Sequence, residues 1–205
     1  MKTIGLVGGV ASGKSLVAKL LVELGAGLMD ADRTGHAVLA EDADVREAVR
    51  KRWGDSVLTP DGQIDRSAVA KRVFAETETG ATDRKFLEAL LHPRIRSRLN
   101  QLRDQFAAAG KPAAVLDAPL LLEVGWGPLC DIVVMVDVPR ETRLERAKTR
   151  GWTDAEFARR EAAQWPAEKK RREAGYVISN AGTEAELRAA VRTFWTQHIA
   201  PIPRI

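Results

Sequence analysis

The run Gly8-Gly9-Val10-Ala11-Ser12-Gly13-Lys14-Ser15 ends a glycine-rich turn in a lysine and a hydroxyl, and it fills every fixed position of G-x-x-x-x-G-K-[ST]. A turn of this kind curls so that successive backbone N–H groups point inward at phosphate oxygens, and the helix that follows adds its positive end. Lys14 then reaches the β- and γ-phosphates of a nucleoside triphosphate, and the Ser15 hydroxyl is a ligand for Mg²⁺. Gly9, Ala11, Ser12, Gly13 and Leu16 complete the candidate cradle. A turn that merely joined a strand to a helix would have no packing use for Lys14 and Ser15. The dinucleotide fingerprint G-x-G-x-x-G is absent, so hydride chemistry is not indicated.

Two carboxylates, Asp30 and Asp32, stand in "GLMDADRTGH". Phosphoryl transfer to an alcohol needs positioning, charge neutralisation and a destination for the acceptor's proton, and a carboxylate at the end of a second strand can supply the last. Asp32 is the candidate general base. Aspartate also favours helix starts, so either acid can instead cap the helix that follows, and Asp30 can support a metal from behind its ligands. Asp117, in "LDAP", is a candidate second acid near Mg²⁺, although the same tripeptide suits a turn.

These residues need a scaffold. "TIGLVG" (3–8) reads as a strand and "SLVAKLLVEL" (15–24) as a helix with Leu16, Leu20 and Leu24 along one stripe. "AGLMDA" (26–31), "AAVLDAPLLL" (113–122), "CDIVVMVDV" (130–138) and "YVISN" (176–180) read as further strands, with helical patterns between them. That alternation predicts an α/β fold, a parallel sheet flanked by helices on both faces. Segments 1–37, 109–144 and 176–205 form the expected nucleotide-binding core. Residues 38–108 carry helical patterns throughout and read as an insertion under which substrate could sit. A second insertion, 145–175, is helical, basic and interrupted by Gly151 and Pro166.

Composition narrows the class. With 205 residues, 45% of them hydrophobic, the chain suits one compact domain with an inserted part. No apolar stretch is long enough to span a membrane, and the chain runs into a strand pattern without a signal sequence, so a cytoplasmic protein is expected. Cys130 is the only cysteine, which excludes an intrachain disulfide and a cysteine metal cluster, and its apolar neighbours predict a structural thiol. The net charge of +4 fits an anionic ligand, but with 28 acids among 32 bases no nucleic-acid partner is expected.

With "LMDADRTGH", "GQIDRSAVAKRVF", "FLEALLHPRI" and "LDAPLLLE" following the P-loop in that order, the chain resembles the dephospho-coenzyme A kinases over almost its whole length. The later "ETRLERAKTRG", "FARREAAQ" and "GYVISNAGT" are similar to that family's lid and nucleotide-base loop. The resemblance implies a P-loop kinase fold with a five-stranded parallel sheet, a helical CoA-binding insertion and a helical lid. It implies transfer of the ATP γ-phosphoryl group, with Mg²⁺, to the ribose 3′-hydroxyl of dephospho-CoA. Asp32 matches the family's base, Arg146 a lid arginine that closes on the transferred phosphate, and Asn180 the loop beside adenine. His92, Leu121 and Glu123 match segments near the acceptor. Taken alone, Arg146 also fits a solvated helix face, His92 a structural histidine and Asn180 an Asx turn.

Four positions depart from the family pattern: Ala11 and Gly175 replace a frequent glycine and aspartate, Leu16 a threonine, and Arg143 a glutamine. The first-order rivals are another nucleoside or nucleotide kinase on the same scaffold and a nucleotide-driven switch or nucleic-acid remodeller. Their acceptor, or lack of one, separates them from the expected enzyme.

Overall fold

The computed structural model describes residues 1–200. Five strands, β1 (Lys2–Gly8), β2 (Gly27–Asp30), β3 (Ala113–Asp117), β4 (Ile132–Asp137) and β5 (Tyr176–Ser179), form one sheet in the order β2-β3-β1-β4-β5. Every pairing is parallel. Successive chain crossings run to opposite sides of β1, so the sheet has its topological switch there, where open α/β sheets bind ligands beyond the strands' carboxyl ends. The P-loop leaves β1 at that point.

Alternate side chains of these strands serve two cores. Ile4, Leu6, Val115, Val134, Val136 and Ile178 pack in one cluster with Val17, Leu20 and Leu21 of helix α1 (Lys14–Glu23) and Leu187, Val191 and Phe194 of a helix near the end of the chain (Glu184–His198). On the other face Leu116, Leu121 and Met135 are fully buried, and Gly5 leaves room for Cys130: a Cβ there would stand 2.5 Å from the cysteine sulfur. Burial, helped by the nearby Asp131 charge, pushes the Cys130 thiol up to about 12, which suits the structural role predicted for it.

Two details correct the sequence reading. The buried face of α1 is Val17, Ala18, Leu20 and Leu21, while Leu16 and Leu24 are only partly covered. A helix laid across a sheet buries a face wider than a single leucine stripe. The third strand ends at Asp117 rather than continuing to residue 122, because Ala118-Pro119 opens a turn in which Leu121 N–H donates to the Ala118 carbonyl.

The chain forms two compact units, Met1–Asp30 with the chain from Arg103 onward, and Ala31–Leu102. The second is helical: α2 (Ala31–Glu41), α3 (Ala43–Trp53), α4 (Arg66–Val73) and most of α5 (Glu78–Ala108). Asp42 and Asp65 cap α3 and α4 by accepting from two backbone N–H groups each. Helix α5 continues through Pro93, and the Arg94 guanidinium donates to the Leu90 carbonyl in the turn that the proline weakens. In the first unit α6 (Arg140–Thr149), α7 (Asp154–Ala162) and α8 (Ala167–Glu173) are separated by Gly151, which adopts a φ of 82°, and by Pro166. The chain closes with α9 (Glu184–His198), started by a capping box between Thr183 and Glu186. No helix among the described residues is long and apolar enough to cross a membrane.

Candidate active site

Residues 9–13 leave β1 and turn into α1, with Gly13 at the helix N-cap in the left-handed conformation (φ 87°). A Cβ at Gly13 would collide with the Asn180 amide, so this glycine is required by conformation and by space. Ala11 shares the left-handed region at φ 61°, the only non-glycine among the described residues to do so. Glycine at this position would therefore have a local backbone reason.

Amides that turn toward a phosphate force their carbonyls the other way, into protein, where each needs a donor. The Gly9 carbonyl accepts from Ser12 N–H at 3.1 Å, and the Gly13 carbonyl from Leu16 and Val17 N–H at 3.0 and 3.3 Å. Side chains serve three others. Lys170 Nζ donates to Gly8 O at 3.4 Å, Arg143 Nη1 to Val10 O at 3.3 Å, and Asn180 Nδ2 to Ser12 O at 2.8 Å. Ser12 itself is buried, and its hydroxyl lies against Gly8 without a hydrogen-bond partner.

Above the loop is a cleft of about 400 Å³ lined by residues 11–16, Arg146, Arg150, Asn180, Gly182 and Glu184. Lys14, Ser15, Arg146 and Asn180, read separately from sequence, thus border one space. Arg146 Nη2 donates to the Asn180 carbonyl at 2.8 Å, so the helix that carries the lid arginine and the loop after β5 are joined at the cleft. Asn180 uses its side chain on the P-loop and its carbonyl on Arg146, which is more than a turn-forming role requires.

The carboxyl ends of the strands bring acids together. Asp30 and Asp117 are register partners across β2 and β3. Asp117 is also the partner of Leu6, two residues before the P-loop begins. Asp32 lies in the first turn of α2, exposed, two residues beyond the end of β2. His92 is half-buried on α5 in the helical unit. Leu121 is wholly buried, close to Gly5, and anchors the loop after β3.

Glu123, from the same loop, accepts from Trp165 N–H at 2.8 Å and pairs with Lys170 at 3.0 Å through Oε1. Its Oε2 is buried with no hydrogen-bond partner. Lys170 and Gln164 escaped the sequence reading. Nothing in "AEKKRRE" distinguishes the fully buried Lys170 from its exposed neighbours; only the docking of α8 on β1 and β4 does.

Arg143, a departure from the family pattern, is buried. Besides Val10 O it donates to Val138 O at 3.3 Å and pairs with Glu161 at 2.8 Å. Burial would raise the Glu161 carboxyl, but Arg140 and Arg143 on either side outweigh it and hold the group below the usual carboxylate range. The second departure, Gly175, precedes β5 and donates its N–H to Val133 O at 2.9 Å; a Cβ there would meet Ile132 at ordinary contact distance. Its spacing does not demand glycine.

Residues 2–186 match the family model described as dephospho-CoA kinase. A dephospho-CoA kinase of Anaeromyxobacter dehalogenans is 42% identical over 188 residues, covering 91% of this chain and 87% of its own. One from Symbiobacterium thermophilum is 39% identical over 196 residues, covering 95% and 80%. A Thermus thermophilus protein of known crystal structure superposes with a TM-score of 0.79 at 30% identity, covering 97% of this chain and 98% of its own. By family model and relatives alike, the chain belongs to the dephospho-CoA kinases, the ATP-dependent enzymes of the final step of coenzyme A synthesis.

Proposed function

We propose that the residues bordering the P-loop cleft, together with Asp32, divide the work of phosphorylating the ribose 3′-hydroxyl of dephospho-CoA. The observation that carries this reading is the convergence of Lys14, Ser15, Arg146 and Asn180 on one cleft at the switch point of the sheet. Main-chain amides of Gly9, Ala11, Ser12 and Gly13 bind the ATP phosphates, with Leu16 in the first turn behind them. Lys14 neutralises charge at the β- and γ-phosphates, and Asn180 holds the loop beside the adenine.

Asp32 accepts the proton of the 3′-hydroxyl as its oxygen bonds to the γ-phosphorus. The bond from that phosphorus to the β,γ-bridging oxygen breaks, and ADP leaves. Arg146, with a planar guanidinium that can bridge two oxygens, steadies the charge on the phosphoryl group in transit, and residues 145–175 form the lid that carries it. His92 and Glu123 face the acceptor, the latter from the loop anchored by Leu121. Residues 38–108 form the acceptor-binding insertion, and the three segments 1–37, 109–144 and 176–205 the nucleotide-binding core.

Oxygen donors at Ser15 and Asp117 suit Mg²⁺, which takes one or two protein oxygens and fills its shell from phosphates and water; a cage of three or more protein ligands is not needed, and none occurs among the described residues. When bound, the ion neutralises charge on the β- and γ-phosphoryl oxygens.

A coupled assay across dephospho-CoA, AMP and free nucleosides tests the acceptor, and phosphorus NMR of the product tests the position. Phosphate on the 3′-oxygen is expected; phosphate elsewhere, or turnover preferring AMP, would overturn the assignment. Asp32→Asn keeps size but loses basicity, so turnover should fall about 10²–10⁴-fold while ATP affinity changes little. A fully active Asn variant removes Asp32 as the base.

A further inference from the structure

We propose that Arg143 and Lys170 are positioning residues for the nucleotide: they hold the Val10 and Gly8 carbonyls turned into the protein, and so keep the amides between them directed at phosphate. The inference rests on the reading of the P-loop as the ATP site and adds two residues that touch neither substrate.

Both side chains are buried to an extent unusual for cations, with 6% of Arg143 and 1% of Lys170 exposed. Burial of charge is costly, and an apolar side chain of similar volume would pack as well or better if packing were the whole role. Each cation instead has a carboxylate that neutralises it and a loop carbonyl that it serves. Arg143 pairs with Glu161 at 2.8 Å and reaches Val10 O at 3.3 Å. Lys170 pairs with Glu123 at 3.0 Å, donates to Gln164 Oε1 at 3.0 Å and reaches Gly8 O at 3.4 Å. Several donors on one head group make this double service possible, which a single hydroxyl could not perform.

The surroundings strengthen the Arg143 contact. Val10, Ala147 and Phe157 form a buried cluster around it, and the Phe157 ring centroid is 5.6 Å from the guanidinium carbon. Gly9 completes the fit. Its backbone needs no special φ, yet a Cβ would stand 2.7 Å from Arg143 Nη1, so the guanidinium packs directly on the loop's second glycine. The two cations arrive from different helices, α6 and α8, and their carboxylates from α7 and the loop after β3. Four separate segments therefore converge on two carbonyls of a loop whose amides do the binding.

The test is ATP affinity by calorimetry in R143M and K170M, beside kcat and both KM values. Each variant should weaken ATP binding about tenfold, the worth of one hydrogen bond at the strong end of its range, and in R143M, whose partners lie away from the acceptor residues, the KM for dephospho-CoA should stay within about twofold of the parent. R143Q keeps an amide donor for Val10 O, and K170R keeps several for Gly8 O, so both should recover most of the affinity. Lower melting temperature with unchanged ATP affinity would overturn the proposal and leave the cations as packing elements.

Should a single variant fail to fold because a carboxylate loses its partner, R143M/E161Q and K170M/E123Q remove both charges, and the same loss of ATP affinity is read from them. The unmutated protein separates the two readings. Failure of that protein to bind ATP would overturn the P-loop assignment itself, whereas normal binding in it and in the variants would overturn only the role of the cations.

Discussion

In the unit that carries the P-loop, the decisive polar side chains turn inward onto backbone; in the helical unit Ala31–Leu102, they pair with one another near the surface. Arg143, Lys170 and Asn180 are all buried and all donate to P-loop carbonyls. The helical unit's ion pairs, Arg50 with Asp55, Arg94 with Asp42 and Arg98 with Glu41, keep much of both partners in water. Phosphate is read by main-chain amides, and main chain can be aimed only by fixing it from behind. Exposed pairs hold helices together weakly, at about 0–1 kcal/mol each, and leave the side chains between them open to recognition. One unit is built to keep a backbone still, the other to present side chains.

Removing the P-loop's own cation should have the largest effect. Lys14 is half-buried at the start of α1, outside the apolar core clusters, so Lys14→Ala should leave the fold intact. Turnover should drop about 10²–10³-fold or more, the usual cost of deleting one group that stabilises transition-state charge. Circular dichroism beside steady-state kinetics checks both halves. Near-normal turnover in a folded variant would mean that backbone alone binds and activates the phosphates.

The helical unit has one exception to its exposed pairing, and it offers the next test. Asp83 is buried against Arg52 at 3.0 Å, while Arg52 remains 41% exposed. Burial alone would raise the Asp83 carboxyl, but the Trp53 indole and the Arg52 guanidinium beside it win and hold it below its usual range. A carboxyl lowered in the folded state contributes stability that is present above its unfolded value, about 3.9, and is lost as pH falls through the folded one. Arg52→Ala should therefore cost about 1–2 kcal/mol at pH 7, toward the low side because solvent screens the guanidinium, and the difference should fade below about pH 4. Urea melts at pH 7 and at a pH below the folded value of the Asp83 carboxyl decide it. An equal loss at both would show that the pair acts through packing of Arg52 over Phe86 rather than through charge.

How far each unit could be read in advance follows the same division. The P-loop was legible because its chemistry constrains residue type at fixed spacing within one short stretch. The central strands β1, β3 and β4 were legible because both faces of a parallel sheet are buried there and leave unbroken apolar runs, and the edge strands β2 and β5 keep an apolar run although Leu28 and Val177 are exposed. Lys170 was not, since burial of one lysine among "EKKRRE" depends on where α8 docks, and periodicity in so short and polar a helix carries no such signal. Arg143 was visible only as a departure from a pattern; its carbonyl and carboxylate partners are scattered from Val10 to Glu161 and meet only after folding. The end of β3 was misplaced because "DAPLLL" stays apolar after its backbone has turned.

The smallest expected effect tests whether the P-loop's backbone is under strain, which a loop fixed from behind can tolerate and a freely adjusting one would not. Ala11 occupies the left-handed region at φ 61°. An L-residue there costs about 1–2 kcal/mol relative to glycine, so Ala11→Gly relieves strain. Two terms oppose the gain. Glycine makes the unfolded chain more mobile, at about 0.4–1 kcal/mol, and the Ala11 methyl packs against the cluster of Val10, Ala147 and Phe157, a partial burial worth about 0.4 kcal/mol. The balance favours glycine by about 0.5 kcal/mol, a rise of about 1–2 °C in melting temperature for a chain of this size. ATP affinity should stay within about twofold, because the contacts to phosphate come from amides that the substitution retains. A fall in melting temperature would mean that packing of the methyl outweighs the strain. A large loss of ATP affinity with stability preserved would mean that Ala11, by narrowing the loop's choices, is itself part of what keeps the amides aimed.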